Sequence, residues 1–165
     1  MNAHEQDDEP KGIILSPKDV RHAVRLLELL TTAQNGANEA RSPENLLAVA
    51  RFSLRVRRGR SHHFSPAMFG EPAWDVLLAL YVTQVDNPAP AVSSLAKIAG
   101  IANTTAFRWI DYLEEKRLIE RRRSSDDGRA LTVALSQEGR ARLEDYFGDV
   151  LAGIVAARQE IALDD

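Results

Sequence analysis

The chain has 165 residues, of which 44% are hydrophobic, and its formal net charge is −3 at pH 7. This length suits one domain with appended helices, and this hydrophobic content excludes wholesale disorder. The absence of cysteine excludes disulfides, thiolate metal sites and a cysteine nucleophile. The polar N-terminus does not resemble a signal peptide, and the longest apolar run, 76–82, is far shorter than the roughly 20 residues that span a bilayer. We therefore expect a cytoplasmic protein with no membrane segment.

The first part of the chain predicts a tail and two helices. Residues 1–12 combine charge with low hydrophobicity, which is typical of a disordered tail. A Ser-Pro pair at 16–17 supplies an N-cap and a first helical residue. Apolar residues then recur with helical spacing at Val20, Val24, Leu27 and Leu30. A second Ser-Pro pair, at 42–43, predicts another helix that reaches about residue 60.

The middle of the chain predicts one central helix and a pair of short ones. Pro72 opens a helix that is apolar around nearly all of its circumference, which is typical of a helix in the middle of a domain. Two short helices follow, at 93–99 and about 104–116. Gly100 lies between them, where a left-handed C-terminal cap is expected, and we expect Asn103 to cap the second helix.

A β-hairpin and a long helix complete the predicted order. Residues 118–123 and 129–136 face each other across five polar residues that include a glycine, which suits a hairpin loop. Ser136 is expected to cap the last helix, whose apolar stripe is Leu143, Phe147, Leu151, Ile154 and Val155. A short helix pair with a tight glycine turn, followed directly by a hairpin, predicts a winged helix-turn-helix. The fold class is mainly α with a small β-hairpin wing.

Positive charge is concentrated in one segment of this acidic chain. Residues 116–129 hold six lysines and arginines against three acidic residues, whereas 137–165 hold three against seven. Because charges in solution are felt within about 10 Å at ordinary salt, local clusters matter more for nucleic acid binding than the mean charge does. The hairpin is therefore a candidate contact surface for nucleic acid.

Three stretches of the sequence resemble one known family. Residues 93–121 look like a helix-turn-helix, with the small Ala96 where the helices cross. Residues 126–143 look like a wing and the helix after it, and residues 69–81 look like the helix that precedes the motif. Together they resemble the MarR family of winged helix-turn-helix transcription regulators, whose Asp-x-Arg wing signature matches Asp127-Gly128-Arg129. The chain departs from the family at Arg117, where the family usually has glycine.

The second short helix is the predicted recognition helix. Ala106, Trp109, Ile110 and Leu113 share one apolar face, which we expect to dock on the domain. The predicted DNA-binding residues on the other side are Asn103, Thr104, Thr105, Arg108 and Tyr112. Short polar side chains at a helix N-terminus suit phosphate and base-edge contacts, and Arg108 can make a bidentate contact to guanine. The alternative is that the threonines are ordinary first-turn residues and that Arg108 is a solvated surface charge.

The wing supplies the remaining predicted contacts. Arg122, Arg123 and Arg129 flank its tip, and an extended guanidinium fits the strongly negative minor groove. Asp127 would repel phosphate, and the resemblance implies that it braces a wing arginine. The alternative is a solvated charged loop.

Other candidate groups lead to weaker interpretations. Arginines at 51, 55, 57, 58 and 60 either flank the DNA backbone or pair with acidic residues of the last helix, such as Glu144, Asp145 or Asp149. His62 and His63 have no third ligand at a recognisable spacing, so we predict no metal site. Asp75 has no catalytic partner in the sequence, which favours polar packing over catalysis. Trp74, Trp109 and Phe64 either line an effector pocket or belong to the core.

These observations predict a dimeric, sequence-specific DNA-binding transcription regulator that is not an enzyme and needs no cofactor. The recognition helix, about 104–116, would enter the major groove of double-stranded DNA, and the wing, about 118–135, the minor groove. We assign 1–12 to an acidic tail, 13–60 and 137–165 to dimerisation helices, and 61–136 to the DNA-binding domain. The apolar stripe of the last helix, with little domain left to cover it, argues for a homodimer. A small-molecule effector is left open. The alternative function is a winged-helix module that binds an acidic protein.

Overall fold

The computed structural model describes residues 41–65, 68–84, 89–123 and 131–161, with side chains described as far as residue 156. Seven further residues between 17 and 28 are described, and all seven are helical. The elements are α1 (Pro43–Gly59), a 3-10 turn (Arg60–His62), α2 (Pro72–Thr83), α3 (Val92–Ala99), α4 (Asn103–Glu115), β1 (Ile119–Arg123), β2 (Leu131–Leu135) and α5 (Gln137–Ile161). This order confirms the predicted fold class. Within the described ranges, no helix is both long enough and apolar enough to cross a membrane.

Local start signals place the helices as predicted. The Ser42 side chain accepts a hydrogen bond from the backbone N–H of Asn45 at 3.4 Å, and Pro43 is the first residue of α1. Pro72 likewise opens α2. A proline costs nothing at this position, because the first N–H groups of a helix have no partner within the helix.

The core forms where α2 lies among the other helices. Val76, Leu78, Ala79 and Leu80 are completely buried, which confirms that α2 is the central helix. Aromatic side chains extend the core towards α5, since the rings of Tyr81 and Phe147 are 5.3 Å apart. The helix-turn-helix and the hairpin both pack against α2.

The turn between α3 and α4 confirms one prediction and corrects another. Gly100 has φ 74° and ends α3 in the left-handed conformation, as predicted. The prediction that Asn103 caps α4 is wrong: the cap position is Ala102, which is extended at φ −65° and ψ 146° and makes no side-chain cap bond. Asn103 is already the first helical residue, and its side chain is exposed. After α4, Arg117 is left-handed at φ 58°, a conformation that costs a residue other than glycine roughly 1–2 kcal/mol.

The hairpin is joined to the helix-turn-helix at an additional point. β1 and β2 are antiparallel, and their paired residues run from Ile119 with Leu135 to Arg123 with Leu131. Ala91, just before α3, forms a bridge with Thr132, and the N–H of Val133 donates to the carbonyl of Pro90 at 2.9 Å. The base of the wing is therefore attached to the start of α3 as well as to the end of α4.

The first turn of α5 lies against the residues that end the recognition helix. The Ser136 hydroxyl accepts from the N–H of Gly139 at 2.9 Å, which confirms the predicted cap, and donates to the carbonyl of Arg117 at 2.6 Å. The N–H of Ser136 donates to the carbonyl of Leu118 at 3.0 Å. A Cβ on Gly139 would lie 2.0 Å from that same Leu118 oxygen. Only glycine allows this approach, which gives a physical reason for glycine at this position.

The apolar stripe of α5 is covered to a larger extent than predicted. Leu143, Phe147 and Leu151 are 3%, 0% and 1% exposed within a single chain, whereas Ile154 and Val155 are half-buried. The prediction that little of the domain covers this stripe is therefore wrong. The reason is that α5 packs against α1 and α2, which bury most of the stripe in the domain's own core.

Candidate nucleic-acid interface

The recognition helix α4 is held by the apolar face that the sequence predicts. Ala106, Ile110 and Leu113 are at most 2% exposed, whereas Trp109 is half-buried at the edge of the face. The Trp109 ring packs edge-to-face against Tyr112, with 5.5 Å between the ring centroids. Its indole nitrogen is buried and makes no hydrogen bond to any residue that the structure describes. This face fixes which side chains of α4 point to solvent.

The predicted contact residues of α4 lie on its exposed side, with one exception. The exposed residues are Asn103, Thr104, Arg108 and Tyr112, whereas Thr105 is half-buried. The guanidinium carbon of Arg108 lies 5.7 Å from the centre of the Trp109 ring. No acidic side chain within the described ranges pairs with Arg108, so its charge is available to an anionic partner. Such a cation on an exposed helix face suits base-edge recognition in a major groove.

The N-terminus of α4 is a second feature that suits an anion. Ala102 cannot cap the helix, since alanine has no side-chain acceptor, so none of the first N–H groups receives a side-chain cap bond. Exposed N–H groups at a helix N-terminus favour a phosphate oxygen. Asn103 and Thr104 stand beside these groups and are also exposed.

The three consecutive arginines of β1 have different surroundings, and the sequence analysis missed the role of the first. Arg121 is only 23% exposed and forms an ion pair with Asp111 of α4. Glu114, one turn further along α4, accepts a hydrogen bond from the Arg121 N–H at 3.2 Å. Its other oxygen lies 3.1 Å from Arg121 Nε without the alignment of a hydrogen bond. Arg121 therefore holds the wing against the recognition helix.

A signal for this role was present in the sequence. In β1, Arg121 follows Ile119 by two residues and so lies on the same face of the strand. That face is the one that turns towards α4, because Ile119 is buried. Asp111 and Glu114 are three residues apart, so they are neighbours on one side of α4. The alternation of β1, combined with this acidic pair, would have separated Arg121 from the next two arginines.

The next two arginines point to solvent. Arg122 is 68% exposed and pairs with Glu120 at 2.7 Å. Arg123 is exposed and has no ion-pair partner among the described residues. Arg129 and Asp127, the two predicted members of the wing tip, lie outside the residues that the structure describes.

The second basic cluster is used in part for packing inside the domain. Arg57 donates from Nε to Asp75 at 2.7 Å and also pairs with Glu71, and the Arg57 and Asp75 side chains are only 16% and 15% exposed. Burial opposes the charged form of Arg57, but the two carboxylates outweigh burial and raise its pKa. The hydrogen bond from Arg57 lowers the pKa of Glu71. The predicted packing role of Asp75 thus has a defined partner. The α5 residue Asp149 pairs instead with Arg41, at 2.7 Å.

Comparison with known proteins shows which family this arrangement resembles. Residues 71–131 match the model of the MarR family, and the HTH-type transcriptional repressor YetL of Bacillus subtilis is 25% identical over 130 residues, which cover 78% of this chain and 77% of YetL. The matched segment, from the start of α2 to the first residue of β2, resembles the MarR family. Among solved structures, the S. aureus MepR–DNA complex is 20% identical with a TM-score of 0.46, covering 68% of this chain and 88% of that one. A probable transcriptional regulator from Pseudomonas aeruginosa is 25% identical with a TM-score of 0.41, covering 72% and 81%.

The match to the MarR family bears on what the segment 71–131 does. Members of this family are transcription regulators, so the match supports the prediction that the chain is not an enzyme. Within the described ranges, no group of three or more histidine, cysteine or acidic side chains could hold a metal ion, and His62 and His63 are both exposed.

The aromatic residues considered for an effector pocket pack at separate places in the structure. Trp74 meets Tyr146 with 5.0 Å between ring centroids, Phe64 meets Phe69 at 5.8 Å, and Trp109 packs on α4 itself. An open cavity of about 790 Å³ lies elsewhere, between the end of α4, β1 and the start of α5, and it is lined by Glu114, Arg117, Glu120, Arg121, Glu138 and neighbouring residues.

Proposed function

We propose that this chain is a dimeric, sequence-specific DNA-binding transcription regulator of the MarR family. In this proposal α4 enters the major groove, and the hairpin wing reaches the adjacent minor groove. The observation that carries it is the contrast between the two sides of α4: one side is buried at Ala106, Ile110 and Leu113, and the other exposes Arg108 without an acidic partner among the described residues. YetL, a relative of the chain, is by name a transcriptional repressor.

The roles of the α4 residues follow from their chemistry. Asn103, Thr104 and Thr105 stand at the N-terminus, where backbone N–H groups and short polar side chains suit phosphate and base-edge contacts. Arg108, one turn further, is suited to guanine, whose O6 and N7 accept both hydrogen bonds of one guanidinium. Tyr112 is exposed at the far side, where its hydroxyl suits a backbone phosphate.

The wing residues divide into contacts and supports. Arg122 and Arg123 are exposed cations on β1, and we propose that they contact DNA in or beside the minor groove. Arg129 belongs to the same proposal, with Asp127 as the residue that braces it. Arg121 stands apart, because its ion pairs with Asp111 and Glu114 direct it inward to α4.

Dimerisation is supported by apolar surface that a single chain leaves exposed. Val20, Val24 and Leu27, which are among the described helical residues before residue 41, are 46%, 45% and 59% exposed. They lie four and three residues apart, so they form one stripe on that helix. A second copy that covers this stripe would place two recognition helices about 34 Å apart, in successive major grooves. A cytoplasmic location belongs to the same proposal.

A binding series with one matched control tests the proposal. DNA ligands selected from a randomised library should show a preferred site, and Arg108→Ala should lose about 1–3 kcal/mol on that site and relax the preference at one base position. Arg142→Ala removes another exposed arginine, which lies on α5 and pairs with Glu138 at 2.6 Å, and this variant should leave the preference unchanged. An unaltered preference for Arg108→Ala would contradict the assignment of α4.

A salt series separates DNA binding from the alternative of an acidic protein partner. Binding to duplex DNA should weaken steeply as salt rises, because each neutralised phosphate releases condensed counterions. If the wild-type chain binds neither the selected site nor random DNA at low salt, the exposed arginines would belong to a protein-binding surface instead.

A further inference from the structure

The recognition helix exposes an aromatic side chain that does not belong to the hydrophobic core. Phe107 is 49% exposed, although phenylalanine usually contributes to a core. Among the described residues, its ring has no aromatic partner, whereas the nearby Trp109 and Tyr112 pack against each other. A single exposed apolar residue is common on protein surfaces, so its position decides its meaning.

Phe107 is the fifth residue of α4 and lies just after the first turn, on the part of the helix that faces solvent. It follows Asn103 by four residues and Thr104 by three, so these three side chains are neighbours on one side of the helix. Arg108 is the next residue and is also exposed. If α4 enters a major groove as proposed, Phe107 enters with it and must meet the edges of the bases.

The charge beyond Phe107 is offset by the wing. Asp111, one turn further along this side of α4, forms an ion pair with Arg121. An unpaired carboxylate here would accept from the amino group of cytosine and repel phosphate. Because Asp111 is ion-paired with Arg121, its carboxylate is not available to a base. Phe107, one turn before it on the same side of α4, then offers an apolar ring to the base that lies there.

The chemistry of the major groove offers one apolar group to such a ring. The groove edges of adenine, guanine and cytosine carry hydrogen-bond donors and acceptors, whereas thymine also carries a 5-methyl group. A phenyl ring gains by removing that methyl group from water and makes no hydrogen bond to any base edge. Phe107 therefore discriminates by the presence of one methyl group.

On the basis of the proposed function, we propose that Phe107 is a specificity-determining residue that reads thymine through its 5-methyl group at one position of each half-site. Asn103, its neighbour on the helix, is suited to adenine N6 and N7 at an adjacent position. The preferred site should therefore contain a required thymine beside the base read by Arg108.

Replacement of thymine by deoxyuridine tests this inference, because it removes the methyl group and leaves base pairing intact. In the selected site, each thymine is replaced singly by deoxyuridine, and affinity is measured by fluorescence anisotropy. For the wild-type chain, one position in each half-site should lose about threefold to fivefold in affinity, the effect of burying one methyl group. Phe107→Ala should lose the thymine preference at that position and bind the two DNAs equally, while Phe107→Leu should retain part of the difference.

Two controls keep the result specific to Phe107. Arg108→Ala should bind more weakly but keep the deoxyuridine penalty, because it removes a different contact. Since Phe107 is half exposed, Phe107→Ala should unfold at the same temperature as the wild type. The inference is overturned if the wild-type chain binds its site specifically but tolerates deoxyuridine everywhere, or if Phe107→Ala keeps the full penalty. Failure of the wild type to select any site would instead refute the proposed function itself, and this inference with it.

Discussion

The close approach of Gly139 to Leu118 leads to a prediction about stability. In Gly139→Ala the new methyl group would lie 2.0 Å from the Leu118 carbonyl oxygen, and Cβ atoms are essentially never found closer than 3.0 Å to another heavy atom. Either the first turn of α5 or the start of β1 must therefore move by about 1 Å, which is the difference between those two distances. The obstacle is backbone, so no side-chain rotation can remove it.

The size of the effect follows from three contributions. Overpacking of a tight contact costs about 1–3 kcal/mol. Separation of the two segments also weakens the 3.0 Å hydrogen bond from the Ser136 N–H to the same Leu118 oxygen, which is worth about 1 kcal/mol. Alanine favours the helical conformation more than glycine does, and this preference offsets at most about 1 kcal/mol of the loss. We expect Gly139→Ala to lower the free energy of unfolding by about 1–3 kcal/mol.

The same helix contains a matched control. Gly153 lies in α5, is exposed, and has no atom within 4 Å of the position that a Cβ would occupy. Gly153→Ala should therefore raise the free energy of unfolding by about 0.5–1 kcal/mol, because only the helix preference changes. Urea unfolding followed by circular dichroism gives both values, with the slope against urea concentration as a check on two-state behaviour.

The opposite signs make the comparison decisive. If Gly139→Ala is as stable as Gly153→Ala, then the approach of the Leu118 carbonyl does not require glycine, and the reasoning about the base of the wing is refuted. If both variants lose stability, the helix preference of α5 has been misjudged.

Three further predictions concern other parts of the molecule. Arg121→Ala and Asp111→Ala should each lower the free energy of unfolding by about 0.5–1 kcal/mol. The double variant should lose less than the sum of the two single losses, because the two side chains form one ion pair. If the losses are additive, this ion pair does not link the wing to the recognition helix. Burial, together with the charge of Glu144, raises the pKa of Tyr81 to about 12. The phenol therefore ionises in the unfolded chain from about pH 10 but stays protonated in the folded state. The free energy of unfolding should fall progressively as the pH rises from about 10 to 12. Absorbance titration should show this late ionisation in the wild type and not in Tyr81→Phe. Leu27→Asp places a charge in the exposed stripe of the N-terminal helix, so sedimentation at micromolar concentration should change from dimer to monomer while the helical signal is kept; an unchanged sedimentation coefficient would locate the dimer contact elsewhere.

Much of the fold could be predicted because its signals are local. Ser42 and Pro43 start α1, Gly100 ends α3, and Ser136 caps α5, each through contacts within one turn of helix. The docking face of α4 was equally predictable, since the period of its apolar residues is the period of the helix itself. On α4, four of the five predicted contact residues are exposed as expected, and only Thr105 is half-buried.

The misjudged features depend on contacts between distant segments. The spacing of Leu143, Phe147 and Leu151 shows that α5 has an apolar stripe. The same spacing is expected whether this stripe packs against a second chain or against the core of its own chain, so the sequence could not distinguish the two. The cap of α4 was misplaced by one residue, because Ala102 and Asn103 are both compatible with the sequence pattern, and the backbone angles decide which of them is the first helical residue.

The sequence by itself determined the order of elements, the family resemblance and the face that α4 buries, because periodicity and capping act over a few neighbouring residues. Only the tertiary structure decided which arginine does what. Arg121 and Arg122 are adjacent and chemically identical, yet the pleat of β1 directs the first to Asp111 on α4 and leaves the second in solvent. Arg57 finds Asp75, eighteen residues away, because α1 packs against α2. Charge is a property of the residue, whereas the partner of a charge is a property of the packing that brings two segments together.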